Sequence, residues 1–289
     1  MGKVRIVTDS SAHFPDPAVI NRYKIQVVPL TIHLGKHTFR EGVDLDADTF
    51  FQLAEPDRLS ARLSAPSVED FASVYSRLNR ETDQILSLHI SRQITDTWDH
   101  ALIASRTLLG RCEIIPVDSM TTSVGLALLV EIAAQAAEKG ASLDEVVRLV
   151  RAMIPHIYSI FFVESLDYLR QNGLLSEAQS ILGTMLSIKP FLTIEEGELI
   201  PMEKVRTQAQ AMDKLVEFVT EFASIGRLVI LQSSAYPTQQ TRILQERLEA
   251  EFPRLESTVV MYGPSLAAII GPDALGIVVL EDPDAEDDD

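Results

Sequence analysis

The segment Val4-Arg5-Ile6-Val7-Thr8, running into Asp9-Ser10-Ser11, constrains the fold of this chain more than any other. Val4, Ile6 and Val7 give it an apolar core over the length of one strand, and it stops on residues that favour turns and helix caps. A strand without polar alternation belongs in a sheet covered on both faces, and such sheets are mostly parallel, with helices as crossovers. The first half of the chain keeps that rhythm. Asp16-Pro17 opens a short helix, residues 25–33 read as a strand, and Asp46 caps a helix reaching about Ala54. Ser67-Val68-Glu69-Asp70 opens another helix, with Asp where a capping box has Glu. Residues 84–90 form the next strand. The polar loop Ser91-Arg92-Gln93-Ile94-Thr95 leads from it into a helix bearing Trp98, Ala101, Leu102, Ser105 and Leu109. A strand over 114–117 ends on Asp118-Ser119, a helix runs to Lys139 and closes on Gly140, and Ser142-Leu143-Asp144-Glu145 is a full capping box. This alternation predicts an α/β domain of three layers with a parallel sheet over residues 1–156.

Past residue 156 the pattern changes. A strand over 158–163, a short helix over 165–170 and a helix around 177–184 precede two strands, 187–194 and 198–202, which flank the hairpin signal Glu195-Glu196-Gly197. From Thr207 to Ala223 the residues Ala209, Met212, Leu215, Val216, Val219 and Phe222 mark one face of a helix. Strands at 228–232, 258–261 and 276–280 and a helix near 239–251 complete a second α/β domain over residues 157–281. It is expected to have two layers, a mixed sheet with helices on one side. The acidic run over 282–289 reads as a solvated, disordered tail without a site.

Composition narrows the function classes. With 289 residues, 46% of them apolar, the chain can bury the core of one large domain or two ordinary ones. No apolar run approaches the roughly 18 residues of a membrane span, and the longest, over 124–137, is cut by Glu131 and Gln135. The N-terminus lacks the apolar length of a signal peptide, and Ile6 stands where a myristoylation motif needs Ser or Thr. The single cysteine, Cys112, rules out a disulfide framework within the chain and fits a reducing compartment. It reads as a small packed residue rather than a nucleophile. A net charge of −17 repels phosphate backbones and anionic membranes. These features predict a cytoplasmic protein without a nucleic-acid partner and without stable membrane insertion.

Four hydroxyl-bearing segments stand in the first domain. Thr8-Asp9-Ser10-Ser11, Ser91 to Thr95, and Asp118-Ser119 each end a strand, and Ser64-Ala65-Pro66-Ser67 precedes a helix. Ligands of open parallel sheets bind beyond the carboxyl ends of the strands, where helix N-termini offer N–H groups and hydroxyls add donors without charge. Each segment alone is an ordinary cap; their convergence on one sheet edge is the functional signal. Conventional catalysis has little support. His33 and His37 lie in a strand-to-turn region without a shared face, and His89 reads as a core or interface residue. There is no nucleophile elbow, Walker loop, dinucleotide fingerprint or Cys-x-x-Cys. Asp9 and Asp118 both end strands, a placement open to acid–base work and equally to loop-fixing hydrogen bonds. No metal site or cofactor is expected.

Taken together, these segments resemble the DegV family of bacterial lipid-binding proteins over roughly residues 3 to 280. The resemblance is carried by Ile6-Val7-Thr8-Asp9-Ser10-Ser11 with Phe14-Pro15, by Val28-Pro29-Leu30, by Glu41-Gly42-Val43-Asp44 and by Ser64-Ala65-Pro66-Ser67. Val117-Asp118-Ser119, Leu166-Asp167-Tyr168-Leu169-Arg170, Ile188-Lys189-Pro190 and Gly271-Pro272 extend it. It implies two domains with a fatty acid buried between them, held by hydroxyls of two loops. At the positions matched to those loops this chain has Leu63-Ser64 and Thr95-Asp96-Thr97, so that Leu63 stands at a position matched to a hydroxyl residue and Asp96 at a position matched to a glycine. The resemblance therefore implies head-group contacts from Thr95 and Ser64, beside Leu63. Pocket support is expected from Thr8, Asp9, Ser10, Ser11, Asp118, Ser119 and Thr97. Asp96 either repels a carboxylate or caps a helix, and the head group is then held differently from the family pattern or is not a free carboxylate. Some members are similar to the substrate-presenting subunit of a fatty acid kinase, with an Arg and a His at positions that here are Leu174 and Ile269. Without those groups a developing acyl phosphate lacks its charge partners, although Lys204 and Arg206 persist, either as partial substitutes or simply as the solvated start of a helix. The expectation is a non-catalytic carrier of a long-chain fatty acid or related hydrophobic acid. A kinase-coupled subunit is the alternative, and a hydrolase using Asp9 and Asp118 the third reading.

Overall fold

The computed structural model describes residues 2–54, 60–175 and 189–283. The expected helix around 177–184, part of the strand expected over 187–194 and most of the acidic tail lie outside them. In the first half, β1 (Arg5–Asp9), α1 (Ala18–Arg22) and β2 (Gln26–Val28) are followed by β3 (Thr31–Leu34), β4 (His37–Arg40), α2 (Ala47–Ala54) and β5 (Ala61–Ser64). Then come α3 (Val68–Leu78), β6 (Gln84–His89), α4 (Thr97–Ser105), β7 (Glu113–Asp118), α5 (Ser123–Glu138) and α6 (Leu143–Met153). Strands β2-β1-β6-β7 form a parallel sheet in that order. Successive residues of β1 serve opposite faces. Ile6 packs with Leu126, Val130 and Val146 of α5 and α6, while Val7 packs with Phe71, Tyr75 and Ala101 of α3 and α4. The three layers are those expected.

One strand expected from the sequence is in fact two. Residues 25–33 divide at Pro29, which lacks the N–H that a ladder needs. Val28 still pairs with Asp9 in the parallel sheet, whereas Thr31 starts a separate antiparallel sheet of order β4-β3-β5. Strands β4 and β5 were not foreseen; at four residues each they carry too little periodicity to read. Asp70 completes a capping box with Ser67 despite its shorter side chain.

The second half runs through β8 (Ile157–Phe162), α7 (Asp167–Gln171), β9 (Lys189–Glu195), β10 (Glu198–Val205), α8 (Gln208–Thr220), β11 (Ile225–Gln232), α9 (Gln239–Glu251), β12 (Ser257–Met261), α10 (Pro264–Ile270) and β13 (Leu275–Glu281). Its sheet has the order β10-β9-β8-β13-β11-β12 and is mixed: among the described residues only β11 and β12 pair in parallel. Ile160, Phe162, Ile230 and Ile277 face α8 and α9. Phe161, Val229, Leu231 and Val278 face the other way, into a cluster shared with α2, α5 and α10. Helix α5 therefore serves both sheets. Val124 and Leu128 join the second sheet's cluster, while Leu126 and Leu129 join the first sheet's. The first turns of α5, over Ser123–Val130, are buried on all sides and so must be apolar all round, which is why the longest apolar run of the chain starts here. No helix among the described residues is long and apolar enough to cross a membrane.

Candidate functional site

The carboxyl ends of β1, β6 and β7 bring three of the four hydroxyl segments to one edge, with Ser119 N–H donating to the His89 carbonyl (3.0 Å) and Ser91 N–H to the Thr121 carbonyl (2.9 Å). At the centre stands Asp9, fully buried. Its carboxylate accepts from Ser11 N–H (3.1 Å), the Ser11 hydroxyl and Ile90 N–H (3.0 Å), and it faces His89 Nδ1 at 3.0 Å. The chain of contacts continues inward from His89 Nε2 to Ser87 Oγ and from Ser87 Oγ to the Tyr75 hydroxyl, each at 2.7 Å. Burial holds that hydroxyl protonated far above its ordinary range. Four polar side chains without solvent thus satisfy one another, as a buried network must. Asp118 is half-buried and accepts from Met120 N–H (2.9 Å), and burial raises its carboxyl above the usual range. Strand β6 separates the strands of Asp9 and Asp118, and both carboxylates accept from the loop that follows β6, Asp9 from Ile90 N–H (3.0 Å) and Asp118 from Arg92 N–H (3.4 Å).

Ser10 and Ser11 act on opposite sides of the same turn. The Ser10 hydroxyl accepts from Leu30 N–H (2.9 Å) and donates to Glu41 Oε2 (2.7 Å), and Glu41 Oε1 accepts from Ser265 N–H at the start of α10 (2.8 Å). Glu41 therefore ties the first strand's turn to the second half of the chain. Burial pushes its carboxyl up to about 7, against the opposing pull of hydrogen bonds from Ser10 and Ser265. Neither Glu41 nor His89 was singled out as a site residue from the sequence.

The expected head-group loops have distinct geometries. In β5, Leu63 pairs opposite Ile32 and Ser64 opposite Thr31, so the two neighbours point to opposite faces of the small sheet. Leu63 is half-buried against both large apolar clusters, as are Ile94 and Ile157, and the three form a seam between the sheets. Ser64 Oγ lies 3.0 Å from His33 Nε2. The Thr95 hydroxyl is 2.6 Å from that of Thr97 and accepts from Thr97 N–H, capping α4. Asp96 is exposed and stands at the N-cap position of α4 without a side-chain capping hydrogen bond. Thr8, Thr121, Thr122 and Ser123 are buried, and their hydroxyls have no protein partner among the described residues. Such groups are met by buried water or by a ligand's oxygens.

Asn172 fastens this region. Its Oδ1 accepts from Leu63 N–H (2.9 Å), while its Nδ2 reaches the carbonyls of Ala61, Tyr168 and Ala268 within 3.1 Å. One side chain thereby holds β5 against α7 and α10. Asn172→Ala is expected to lower stability by about 2 kcal/mol through the unpaired backbone groups it leaves, measured as the shift in urea midpoint; an unchanged midpoint would remove the clamp. Leu174 packs on the apolar cluster and Ile269 is fully buried in it. Burial and the nearby Asp83 and Glu113 charges raise the Cys112 thiol above its usual range, which makes it a poor nucleophile. No group of three or more His, Cys, Asp or Glu among the described residues is placed to hold a metal.

A family model described as an uncharacterised protein of the DegV family matches residues 3–282. The chain belongs to the DegV family. A DegV domain-containing protein of Streptomyces coelicolor is 33% identical over 278 residues, covering 96% of this chain and 98% of its own. Among solved structures, one described as fatty acid binding of a DegV family protein from Thermus thermophilus is 27% identical, with a TM-score of 0.84 and coverage of 96% and 99%. A DegV structure from Streptococcus agalactiae, 24% identical with a TM-score of 0.87 over 98% and 100% of the two chains, shows the same fold. The DegV frame agrees with the two α/β units, one parallel sheet and one mixed, found here.

Proposed function

We propose that this protein binds and carries a fatty acid or related hydrophobic acid between its two domains, taken as residues 1–156 and 157–281. The observation that carries this reading is the end-to-end likeness to the Thermus thermophilus protein described as fatty acid binding, supported by the apolar seam of Leu63, Ile94 and Ile157. The acyl chain lies along that seam, where each buried methylene contributes about 0.8 kcal/mol. Thr95 and Ser64 contact the head group, with Leu63 beside it. Thr8, Asp9, Ser10, Ser11, Asp118, Ser119 and Thr97 hold the loops. Asp96 is exposed, where solvent and salt screen its charge from a carboxylate held at Thr95. The acid is ligand rather than cofactor, the protein carries out no chemistry of its own, and it works in the cytoplasm.

Leu174 and Ile269 favour the carrier over a kinase-presenting subunit, because apolar packing at both positions leaves a developing acyl phosphate without charge partners from them. Mass spectrometry of lipid extracted from the purified protein is expected to show a fatty acid. Delipidated protein is expected to take up palmitate, with affinity reduced roughly tenfold or more in the Thr95→Ala/Ser64→Ala double variant. No lipid in the extract and no uptake would sink the carrier reading. Acyl phosphate formed with a cognate kinase would restore the kinase-coupled one.

A further inference from the structure

Three exposed apolar side chains, Met120 (39%), Tyr158 (36%) and Met202 (48%), line one cleft of about 660 Å³. Single exposed apolar residues are ordinary, but several gathered around one concavity mark a binding surface. The cleft floor includes buried Ile160 and Phe191 and the half-buried ring of Phe218. The two halves of the chain meet at this cleft. The β9–β10 turn has Glu196 and Gly197 at positive φ (48° and 86°), and the Gly197 carbonyl accepts from the Ser91 hydroxyl (2.7 Å). A Cβ at Gly197 would come within 2.4 Å of Ser91 Oγ and 3.5 Å of the Met120 backbone, so only glycine seats the hairpin tip this closely.

Charge surrounds this apolar floor in two banks. Glu195 and Glu196 stand on the hairpin tip, Glu217 stands on the last turn of α8 and Glu221 just past its end; all four are exposed. The lysine lining the cleft, Lys214, is bonded to Glu217 at 2.8 Å. A carboxylate ligand is therefore repelled here. A second copy of this chain, itself carrying a net −17, is repelled too. A single small cation would answer one bank only.

We infer that this cleft docks a basic amphipathic helix of a partner protein, its apolar stripe on the floor and its Lys or Arg flanks against the two banks. Helix-in-groove recognition needs an apolar trough of this kind, and the flexible methionines at its rim adapt to different apolar side chains. Opposite charge speeds encounter and sets the partner's sign. The cleft meets the seam proposed for the hydrophobic acid at Ile157, and the residues varied below lie outside that seam.

The test is fluorescence anisotropy with a labelled Leu/Lys amphipathic peptide of about four helical turns, near physiological ionic strength. The native protein is expected to bind this peptide and not its Leu/Glu counterpart. Met120→Ser/Met202→Ser and Glu195→Gln/Glu196→Gln/Glu221→Gln, all at exposed positions, are each expected to weaken binding roughly tenfold or more, with palmitate uptake unchanged. No binding by the native protein overturns the inference. So does undiminished binding by the methionine variant, which would reveal charge attraction alone, or equal binding of the Leu/Glu peptide.

Discussion

Asp9→Ala is expected to cost about 3–5 kcal/mol of folding stability, because it removes the acceptor of a buried network and leaves its donors unpaired. Ile90 N–H, Ser11 N–H, the Ser11 hydroxyl and His89 Nδ1 all converge on this carboxylate, and Asp9, His89 and Ser87 are without solvent exposure. Asp9→Asn keeps the volume but turns one acceptor into a donor facing donors, and is expected to cost about 2 kcal/mol. Urea unfolding of both variants measures the effect. If Asp9→Ala unfolded within about 1 kcal/mol of the native protein, the turn would not be the brace of the site. The loss is structural, because β6 keeps Asp9 from Asp118 and its partners are the fold's own groups.

The second large effect is a dependence on pH that one substitution abolishes. Glu41 is buried, and its carboxyl is raised from an ordinary 4.5 to about 7. The folded chain holds this proton more tightly than the unfolded chain, so the contribution is fully present below pH 4.5 and is lost as pH rises to about 7. The window corresponds to about 3 kcal/mol. Glu41→Gln retains an oxygen for Ser265 N–H and carries no charge to desolvate. Relative to the native protein it is expected to gain stability steadily between those limits and to hold that gain above them. Parallel urea titrations across the range supply the difference. Equal slopes for the two proteins would show that Glu41 ionises freely in the folded state.

Much of the local structure was legible because its causes lie within a few residues of one another. Ser67 and Ser142 cap their helices through side chains three positions on, Glu195-Glu196-Gly197 turns a hairpin, and Ile85, Leu86 and Leu88 mark β6, which is buried at every position because both of its faces are covered. The break at Pro29 was in principle readable, since proline removes a ladder donor, but the apolar run around it masked the division. The site was legible only as a set of loops. Leu63 and Ser64 are adjacent in sequence and opposed in space, because β5 is a strand and side chains alternate along it.

What the sequence by itself determined is the alternation of elements, the family and the hydroxyl loops at one sheet edge, since short apolar periods and cap chemistry act over one or two turns of chain. The tertiary structure decided which distant groups meet at those loops and which apolar side chains lie between the two sheets. Asn172 reaches Leu63 across 109 residues, and Ser265 meets Glu41 across 224. Asp9 meets His89 across 80. A buried carboxylate must be answered by donors wherever the fold brings them, and no local pattern of residues encodes which distant donor that will be.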